Sequence, residues 1–240
     1  MTEMVPTLIN DRWTLLLPEH RAARDSWPTW EKERLAAMHD TIRPGDVVVD
    51  IGAEEGDFPG LWASWGADVV LFEPNPRVWP NIRAIWEANG FRPPLGWFVG
   101  FASDETDLNP PHCDVRAEPV DGWPACAYGP IIGNHGFRHL AEETATTPQV
   151  TLDDWCAERG IRPDVLTIDV EGSELRVLRG ADRLLYEDHP TVFVSIHTDE
   201  VWMDEKYDRV REPDVTAWMH AHGYSGQHLI TDHEMHFVYR

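Results

Sequence analysis

Two acidic residues and two glycines stand where the strand-to-helix turns of an α/β protein bind a ligand. Asp50 lies near the end of the apolar run VVVDIG, and Gly52 and Gly56 follow it in the turn. Glycines let backbone N–H groups approach a ligand, and the next helix N-terminus adds partial positive charge that suits a carboxylate. Glu73, 23 positions after Asp50, ends the next apolar run, where doubly wound folds place an acid that binds ribose hydroxyls. These four residues predict a nucleoside ligand.

The spacing of the acid and the glycines in this turn indicates which of two nucleoside cofactors it suits. Dinucleotide sites use G-x-G-x-x-G to approach a pyrophosphate, whereas this chain reads D-x-G-x-x-x-G. S-adenosylmethionine (SAM) carries an ammonium as well as a carboxylate, so an acid at the turn favours SAM over a nicotinamide cofactor. The cofactor site predicted around these two strand ends comprises Asp50, Gly52, Ala53, Glu54, Gly56, Glu73, Pro74 and Asn75.

A second group of polar residues follows two later apolar runs. Asp169 and Glu171 come after DVLTI, and His197 comes after TVFVSI. Because the carboxyl ends of parallel strands meet at one edge of a sheet, these three side chains are expected to lie close together. His197 is the first candidate for a general base, since imidazole titrates near physiological pH.

Two other interpretations of this second group stay open. The three side chains, with Asp199 as a further oxygen ligand, suit a divalent cation that lowers the pKa of an acceptor hydroxyl. In a purely structural interpretation, Asp169 caps a helix, Glu171 is a first-turn acid favoured by the helix dipole, and His197 is a hydrogen-bonded core histidine.

The elements that must position these residues alternate between strand and helix patterns. The fold class predicted is α/β, a doubly wound and mostly parallel sheet with one antiparallel strand at its edge. Residues 1–45 form a lead-in that packs on the main domain of residues 46–240, and residues 104–149 form an insertion over the site. Strands are predicted near 46–51, 67–73, 97–103, 164–170, 191–197, 224–230 and 235–239, and helices near 29–39, 57–66, 77–89, 152–160, 171–185 and 214–222.

The motifs VVVDIGAEEG, FEPNP, LDDW and IDVEGSELRVLRGA resemble those of FkbM-type class I methyltransferases, over roughly residues 46–185. This resemblance implies a Rossmann-like, seven-stranded SAM-binding sheet and O-methyl transfer, commonly onto sugars or secondary metabolites. It also implies that Asp50, Gly52 and Gly56 flank the methionine part of SAM and that Glu73 holds the ribose. Ser103 and Asp104 are then expected near the adenine.

The chain departs from the family pattern at two positions. Glu54 stands where the family usually has Asn, which alters contacts at the methionine end. Ser195, Ile196 and His197 stand where the family often has Glu-x-His, so the histidine is kept and the acid is lost.

Composition limits the partners. A net charge of −22 disfavours nucleic acid and anionic membranes, and no apolar run reaches the roughly 20 residues of a membrane span, so a cytoplasmic protein with a small-molecule or glycan acceptor is expected. Four late histidines, His220, His222, His233 and His236, lack the spacing of a closed zinc site and are expected at surface or scattered positions. The alternatives are a SAM-fold binding protein without catalysis and, less favoured, a nicotinamide-dependent oxidoreductase.

Overall fold

The computed structural model describes residues 3–108, 120–131, 147–197, 211–230 and 235–240. Its strands are β1 (Met4–Ile9), β2 (Trp13–Pro18), β3 (Val47–Ile51), β4 (Asp68–Phe72), β5 (Gly96–Phe98), β6 (Phe101–Ala102), β7 (Gln149–Val150), β8 (Val165–Ile168), β9 (Thr191–Ile196), β10 (Gly226–Leu229) and β11 (Met235–Tyr239). Its α-helices are α1 (Glu19–Ala22), α2 (Lys32–Thr41), α3 (Asp57–Ser64), α4 (Trp79–Asn89), α5 (Leu152–Arg159), α6 (Glu174–Arg179), α7 (Asp182–Glu187) and α8 (Glu212–Ala221). A 3₁₀ helix covers Ala125–Tyr128.

Within these described residues, seven strands form one sheet in the order β10-β11-β9-β8-β3-β4-β5. The pairs from β9 to β5 are parallel, and β11 is antiparallel to both of its neighbours. Alternate β3 and β4 residues pack on opposite faces, with Val48 and Leu71 in one core and Val49 and Phe72 in the other. The structure therefore confirms the doubly wound, mostly parallel sheet.

The parallel strands run in the same direction, so the turns after four of them lie together at the carboxyl-terminal end of the sheet. Gly52, Glu73, Asp169 and His197 are each the first residue after β3, β4, β8 and β9, respectively. The strands themselves are apolar and buried on both faces, as parallel strands between two helix layers are. The sheet thus gathers the polar positions singled out in the sequence.

The first 45 residues contain a β-hairpin and two helices. Antiparallel β1 and β2 place Leu15 and Leu17 in the same buried cluster as Leu61 of α3. The side chain of Asn89 in α4 also joins β2, because it accepts from the N–H of Leu16 at 2.9 Å and donates to its carbonyl at 3.0 Å. The hairpin is an element that the sequence patterns missed, and the domain boundary at residue 45 stays a prediction.

Two predicted elements are wrong in detail. The strand predicted for residues 97–103 is two strands in separate sheets, because the backbone of Gly100 packs against the carbonyl of Pro148 and the ring of Phe98. The long helix predicted for residues 171–185 is split into α6 and α7 at Gly180. A Cβ at Gly180 would lie 1.9 Å from the carbonyl oxygen of Ser103, and the Gly180 carbonyl accepts from the N–H of Asp153.

The antiparallel strand was expected at the edge of the sheet, but it lies inside the sheet. It is β11, which inserts between β9 and β10, and β10 forms the edge. Three of the four β10 residues are exposed, whereas β11 buries His236, Val238 and Tyr239. The more buried strand therefore takes the inner position, as the hydrophobic effect requires.

Candidate active site

The turn after β3 has a backbone that only glycine allows at one point. Gly52 has φ +93°, and a Cβ there would lie 1.9 Å from the carbonyl oxygen of Asp169. Gly56, also at φ +93°, is the N-cap of α3. Ala53, between the two glycines, is buried, and its N–H donates to the carbonyl of Phe72 at 3.1 Å. The turn is thus packed directly against the ends of β4 and β8.

Asp50 is a buried carboxylate, and one of its two oxygens accepts hydrogen bonds. Its Oδ1 accepts from the indole N–H of Trp62 at 3.2 Å and from the hydroxyl of Thr167. Its Oδ2 is buried and has no hydrogen-bond partner among the described residues. Burial raises the pKa of Asp50 to about 6, although the hydrogen bonds from Thr167 and Trp62 oppose the shift. Such an atom needs a polar or cationic ligand.

Glu73 joins the turns after β3 and β4. Its Oε1 accepts from the N–H of Asn75 at 2.7 Å and its Oε2 from the N–H of Glu54 at 2.9 Å, while Pro74 lies half-buried between Glu73 and Asn75. Burial raises the pKa of Glu73 to about 8, against the effect of these two backbone hydrogen bonds. A desolvated carboxyl group at this strand end can accept hydrogen bonds from hydroxyl donors such as those of a ribose.

Ser103 and Asp104 follow β6. Ser103 is buried, and its hydroxyl donates to Oδ1 of Asp104 at 3.2 Å. The same Oδ1 accepts from Nε of Arg176 in α6 at 2.8 Å. Partial burial acts to raise the pKa of Asp104, but the hydrogen bond and charge of Arg176 outweigh it and lower that pKa. Asp104 is thus an ionised, anchored carboxylate.

The structure brings Asp169, Glu171 and His197 together. Nε2 of His197 lies 3.6 Å from Oδ1 of Asp169 and 3.7 Å from Oε2 of Glu171. One ligand atom from each residue lies within 4.8 Å of the other two, a spacing suited to a metal ion. The fourth residue of this prediction, Asp199, lies outside the described residues, as do His112, His135 and His139 of the predicted insertion and His233.

Glu174 orients the imidazole from behind, a role that the sequence patterns missed. Its Oε1 lies 2.7 Å from Nδ1 of His197 and accepts from the N–H of Gly172 at 2.9 Å, and its side chain is fully buried. A carboxylate is an acceptor, so the contact places the ring proton on Nδ1 and leaves the lone pair on Nε2. That lone pair faces Asp169 and Glu171, where either a general base or a metal ligand needs it.

Asp169 is held on its other side by residues that sequence reasoning also missed. Its Oδ2 accepts from Arg34 at 3.1 Å and from the hydroxyl of Ser195 at 3.0 Å. Arg34 is buried and also pairs with Glu31 at 2.6 Å. Burial acts to raise the pKa of Asp169, but the positive charge and hydrogen bonding around it, with Arg34 as the largest contributor, together lower that pKa.

His236 does not lie at the surface, which was one of the two positions expected for it. It is 1% exposed on β11, and its Nδ1 lies 2.9 Å from the hydroxyl of Ser195. The serine that replaces the family's acid therefore links Asp169 to this buried histidine. A contact between strands 41 residues apart leaves no signal in a local pattern.

A second buried arginine ties the lead-in to the glycine turn. Arg21 contacts both oxygens of Glu54, at 3.1 and 3.0 Å, and Oδ2 of Asp57 at 2.5 Å. It also lies 3.6 Å from Glu55, which accepts from Asn81 at 2.7 Å. Glu54, which stands where the family usually has Asn, therefore forms an ion pair with Arg21 of the lead-in. Its φ of +48° lies in the left-handed region, so the backbone of the turn is strained at this residue.

This strand order and the acids at its strand ends define a class I methyltransferase fold. Residues 50–225 match the model of the methyltransferase FkbM domain. The chain belongs to the FkbM methyltransferase domain family.

Three relatives show the extent of the similarity. FkbM, the 31-O-demethyl-FK506 methyltransferase of Streptomyces tacrolimicus, is 30% identical over 77% of this chain and 74% of its own length. The hexuronic acid methyltransferase AglP of Haloferax volcanii is 29% identical over 70% of this chain and 66% of its own length. The solved structure of methyltransferase FkbM from Methylobacillus flagellatus is 16% identical, with a TM-score of 0.49 over 84% of this chain and 49% of that one. This chain thus spans only part of each relative.

Among the described residues, no helix has the length and apolar character needed to cross a bilayer.

Proposed function

We propose that this chain is a SAM-dependent methyltransferase that methylates a hydroxyl group of a sugar or another small metabolite. The observation that carries the proposal is the pair of buried carboxylates, Asp50 and Glu73, at adjacent strand ends beside the glycine turn. The named activities of the two sequence relatives, on a hexuronic acid and on 31-O-demethyl-FK506, support the acceptor class.

The residues present fit SAM. Oδ2 of Asp50 is buried without a hydrogen-bond partner in the described chain, so it suits an ammonium. Glu73 presents a desolvated carboxyl group whose oxygens suit the ribose hydroxyls, and Ser103 with Asp104 offers polar atoms for the adenine. SAM supplies a sulfonium-bound methyl group that is open to in-line attack by an oxygen.

The chain's own residues must then position the acceptor and handle its proton. Asp169 and Glu171 follow β8, the strand next to β3, and His197 follows β9, one strand further on, so all three lie at the same end of the sheet as Asp50 and Glu73. Glu174 fixes the His197 tautomer so that Nε2 can accept a proton or bind a cation. Arg34 and Ser195 hold Oδ2 of Asp169, which directs Oδ1 toward His197. Positioning of this kind supplies much of the rate of a displacement reaction.

Calorimetric titration of SAM into the purified chain tests the cofactor. We expect binding in the native chain and at least tenfold weaker binding in Asp50→Asn and Glu73→Gln. The matched control is Asp68→Asn, because Asp68 begins the strand that Glu73 follows and pairs with exposed Arg92. No binding of SAM by the native chain, or equal binding by all four forms, contradicts the proposal.

Transfer is tested with labelled methyl groups and a panel of uronic acids, neutral sugars and polyols. We expect product with at least one class and loss of product in His197→Ala with SAM binding retained. SAM binding without transfer to any acceptor would support the alternative, a binding protein without catalysis.

A further inference from the structure

We propose that Asp169, Glu171 and His197 bind one divalent cation of the Mn²⁺ or Mg²⁺ class, which holds and polarises the acceptor hydroxyl. The cation site is argued from side-chain geometry alone, and only its role rests on the proposed methyl transfer. Below, these three residues are called the cation triad.

The ligand atoms of the triad lie close enough for one cation to bridge them after a small movement. A protonated imidazole that donates to a carboxylate brings nitrogen and oxygen to about 2.7–2.9 Å. Nε2 of His197 instead lies 3.6 Å from Asp169 and 3.7 Å from Glu171. Adjacent ligands about 2.1 Å from one octahedral Mg²⁺ or Mn²⁺ ion and roughly 90° apart are separated by about 3.0 Å, so a bound cation would draw these atoms together by somewhat more than about half an ångström.

The groups around the triad orient each ligand as metal sites require. Metal-bound histidine commonly donates its other N–H to a carboxylate, which fixes the tautomer. Glu174 makes this contact with Nδ1 of His197 at 2.7 Å, from a fully buried position. Arg34 and Ser195 occupy Oδ2 of Asp169 and so direct Oδ1 toward Nε2.

The backbone at Glu171 determines where its carboxylate lies. Glu171 has φ +54°, in the left-handed region that residues other than glycine seldom adopt. Such strain concentrates at ligand sites, where the surrounding structure maintains it. Here the turn holds the Glu171 carboxylate, 31% exposed, over His197 rather than in open solvent.

The donor set indicates the class of cation. Carboxylate oxygens suit Mg²⁺ and Mn²⁺, and the single imidazole favours Mn²⁺ between these two. Three protein ligands leave further coordination positions for water or for oxygens of the acceptor. A hydroxyl bound to the cation has a lowered pKa and loses its proton to water more readily. Vicinal hydroxyls or a hydroxyl next to a carboxylate, as in sugars, can occupy two such positions.

The experiment uses the full chain, stripped with EDTA and dialysed, with Mn²⁺ alone as the probe. Free Mn²⁺ is followed by electron paramagnetic resonance and binding heat by calorimetry. We expect one Mn²⁺ per chain, with binding at least tenfold weaker in Glu171→Gln and His197→Ala. In Glu174→Gln, loss of the orienting carboxylate should weaken binding about 10–100-fold.

The matched control is His222→Ala, because His222 is also a histidine paired with a carboxylate, lying 2.9 Å from Asp182, but outside the triad. It should bind Mn²⁺ like the native chain. Glu171→Gln is the decisive variant because its half-exposed side chain can change without disturbing the core, and circular dichroism checks that it folds. Absence of saturable Mn²⁺ binding, or equal binding by Glu171→Gln, His197→Ala and the control, would overturn the cation site.

Titration of SAM in the presence of EDTA separates this inference from the proposed function. SAM binding without any Mn²⁺ site removes the cation and leaves His197 as a general base. Mn²⁺ binding that depends on the triad, without SAM binding, supports the cation site and contradicts the proposed function.

Discussion

Nδ1 of His197 lies 2.7 Å from Oε1 of Glu174, and this carboxylate is fully buried. The pair joins the end of β9 to the start of α6 and determines which ring nitrogen faces Asp169 and Glu171. Its effect on the imidazole can be measured without knowledge of the acceptor.

We expect Glu174→Gln to change the His197 tautomer. A neutral amide accepts a hydrogen bond less strongly than a carboxylate does, so the preference for a proton on Nδ1 should weaken. Nitrogen-15 chemical shifts of the metal-free chain should show the Nδ1–H tautomer in the native protein and a mixture in the variant. Loss of a buried charged hydrogen bond should also cost about 1.5–3 kcal/mol of stability. Identical ring shifts in both proteins would contradict the orienting role.

SAM affinity should fall at acid pH because of Asp50. The ionised carboxylate is the form that attracts an ammonium, and burial raises its pKa to about 6. Above this pH the group is charged and affinity should be flat, whereas below it affinity should decrease by up to about tenfold per pH unit. Calorimetric titrations between pH 5 and pH 7.5 measure this. Asp50→Asn should bind weakly at every pH, and a native affinity that does not change across the range would refute the role of Asp50.

Gly52→Ala should destabilise the chain far more than Gly90→Ala. Both glycines have positive φ, but a Cβ at Gly52 would lie 1.9 Å from the carbonyl oxygen of Asp169, whereas one at Gly90 meets nothing within 4 Å. The left-handed backbone alone costs roughly 1 kcal/mol, and a clash with backbone adds several more because the strand end must move. Chemical denaturation compares the two variants, and equal losses would show that the close approach at Gly52 carries no cost.

Arg34→Met should lower stability by about 3–5 kcal/mol, because it leaves Glu31 and Asp169 without their buried counter-charge. Arg92→Met is the control, since Arg92 is 81% exposed in its pair with Asp68 and surface pairs contribute at most about 1 kcal/mol. Thermal and urea unfolding provide the comparison. A small effect at Arg34 would mean that the lead-in does not support Asp169.

Much of the fold follows from local patterns. Apolar runs such as VVVDI predicted the parallel strands, and the residues directly after them, Glu73, Asp169 and His197, are brought to one edge as expected. This works because strands that are buried on both faces need uninterrupted apolar residues, which a single sequence shows directly. Family membership likewise agrees with the motif resemblance. The assignment of individual residues to SAM, to a cation or to catalysis stays a prediction.

Other features required the tertiary structure. The hydrophobic pattern of residues 171–185 is continuous, and only the contact of Gly180 with Ser103 shows why the helix stops. The positions of β10 and β11 depend on which of these two strands pairs with β9 inside the sheet. His236 shows the same limit for the site, because its burial depends on the inner position of β11.

The sequence by itself determined the fold class, the strand ends and the acids, glycines and histidine that stand on them, because these depend on local periodicity and the direction of parallel strands. Only the tertiary structure decided which side chains support them. Arg34 reaches Asp169 across 135 residues and Arg21 reaches Glu54 across 33. Which counter-charge a buried charge contacts depends on how the layers pack. The residues next to it in the sequence do not indicate that partner.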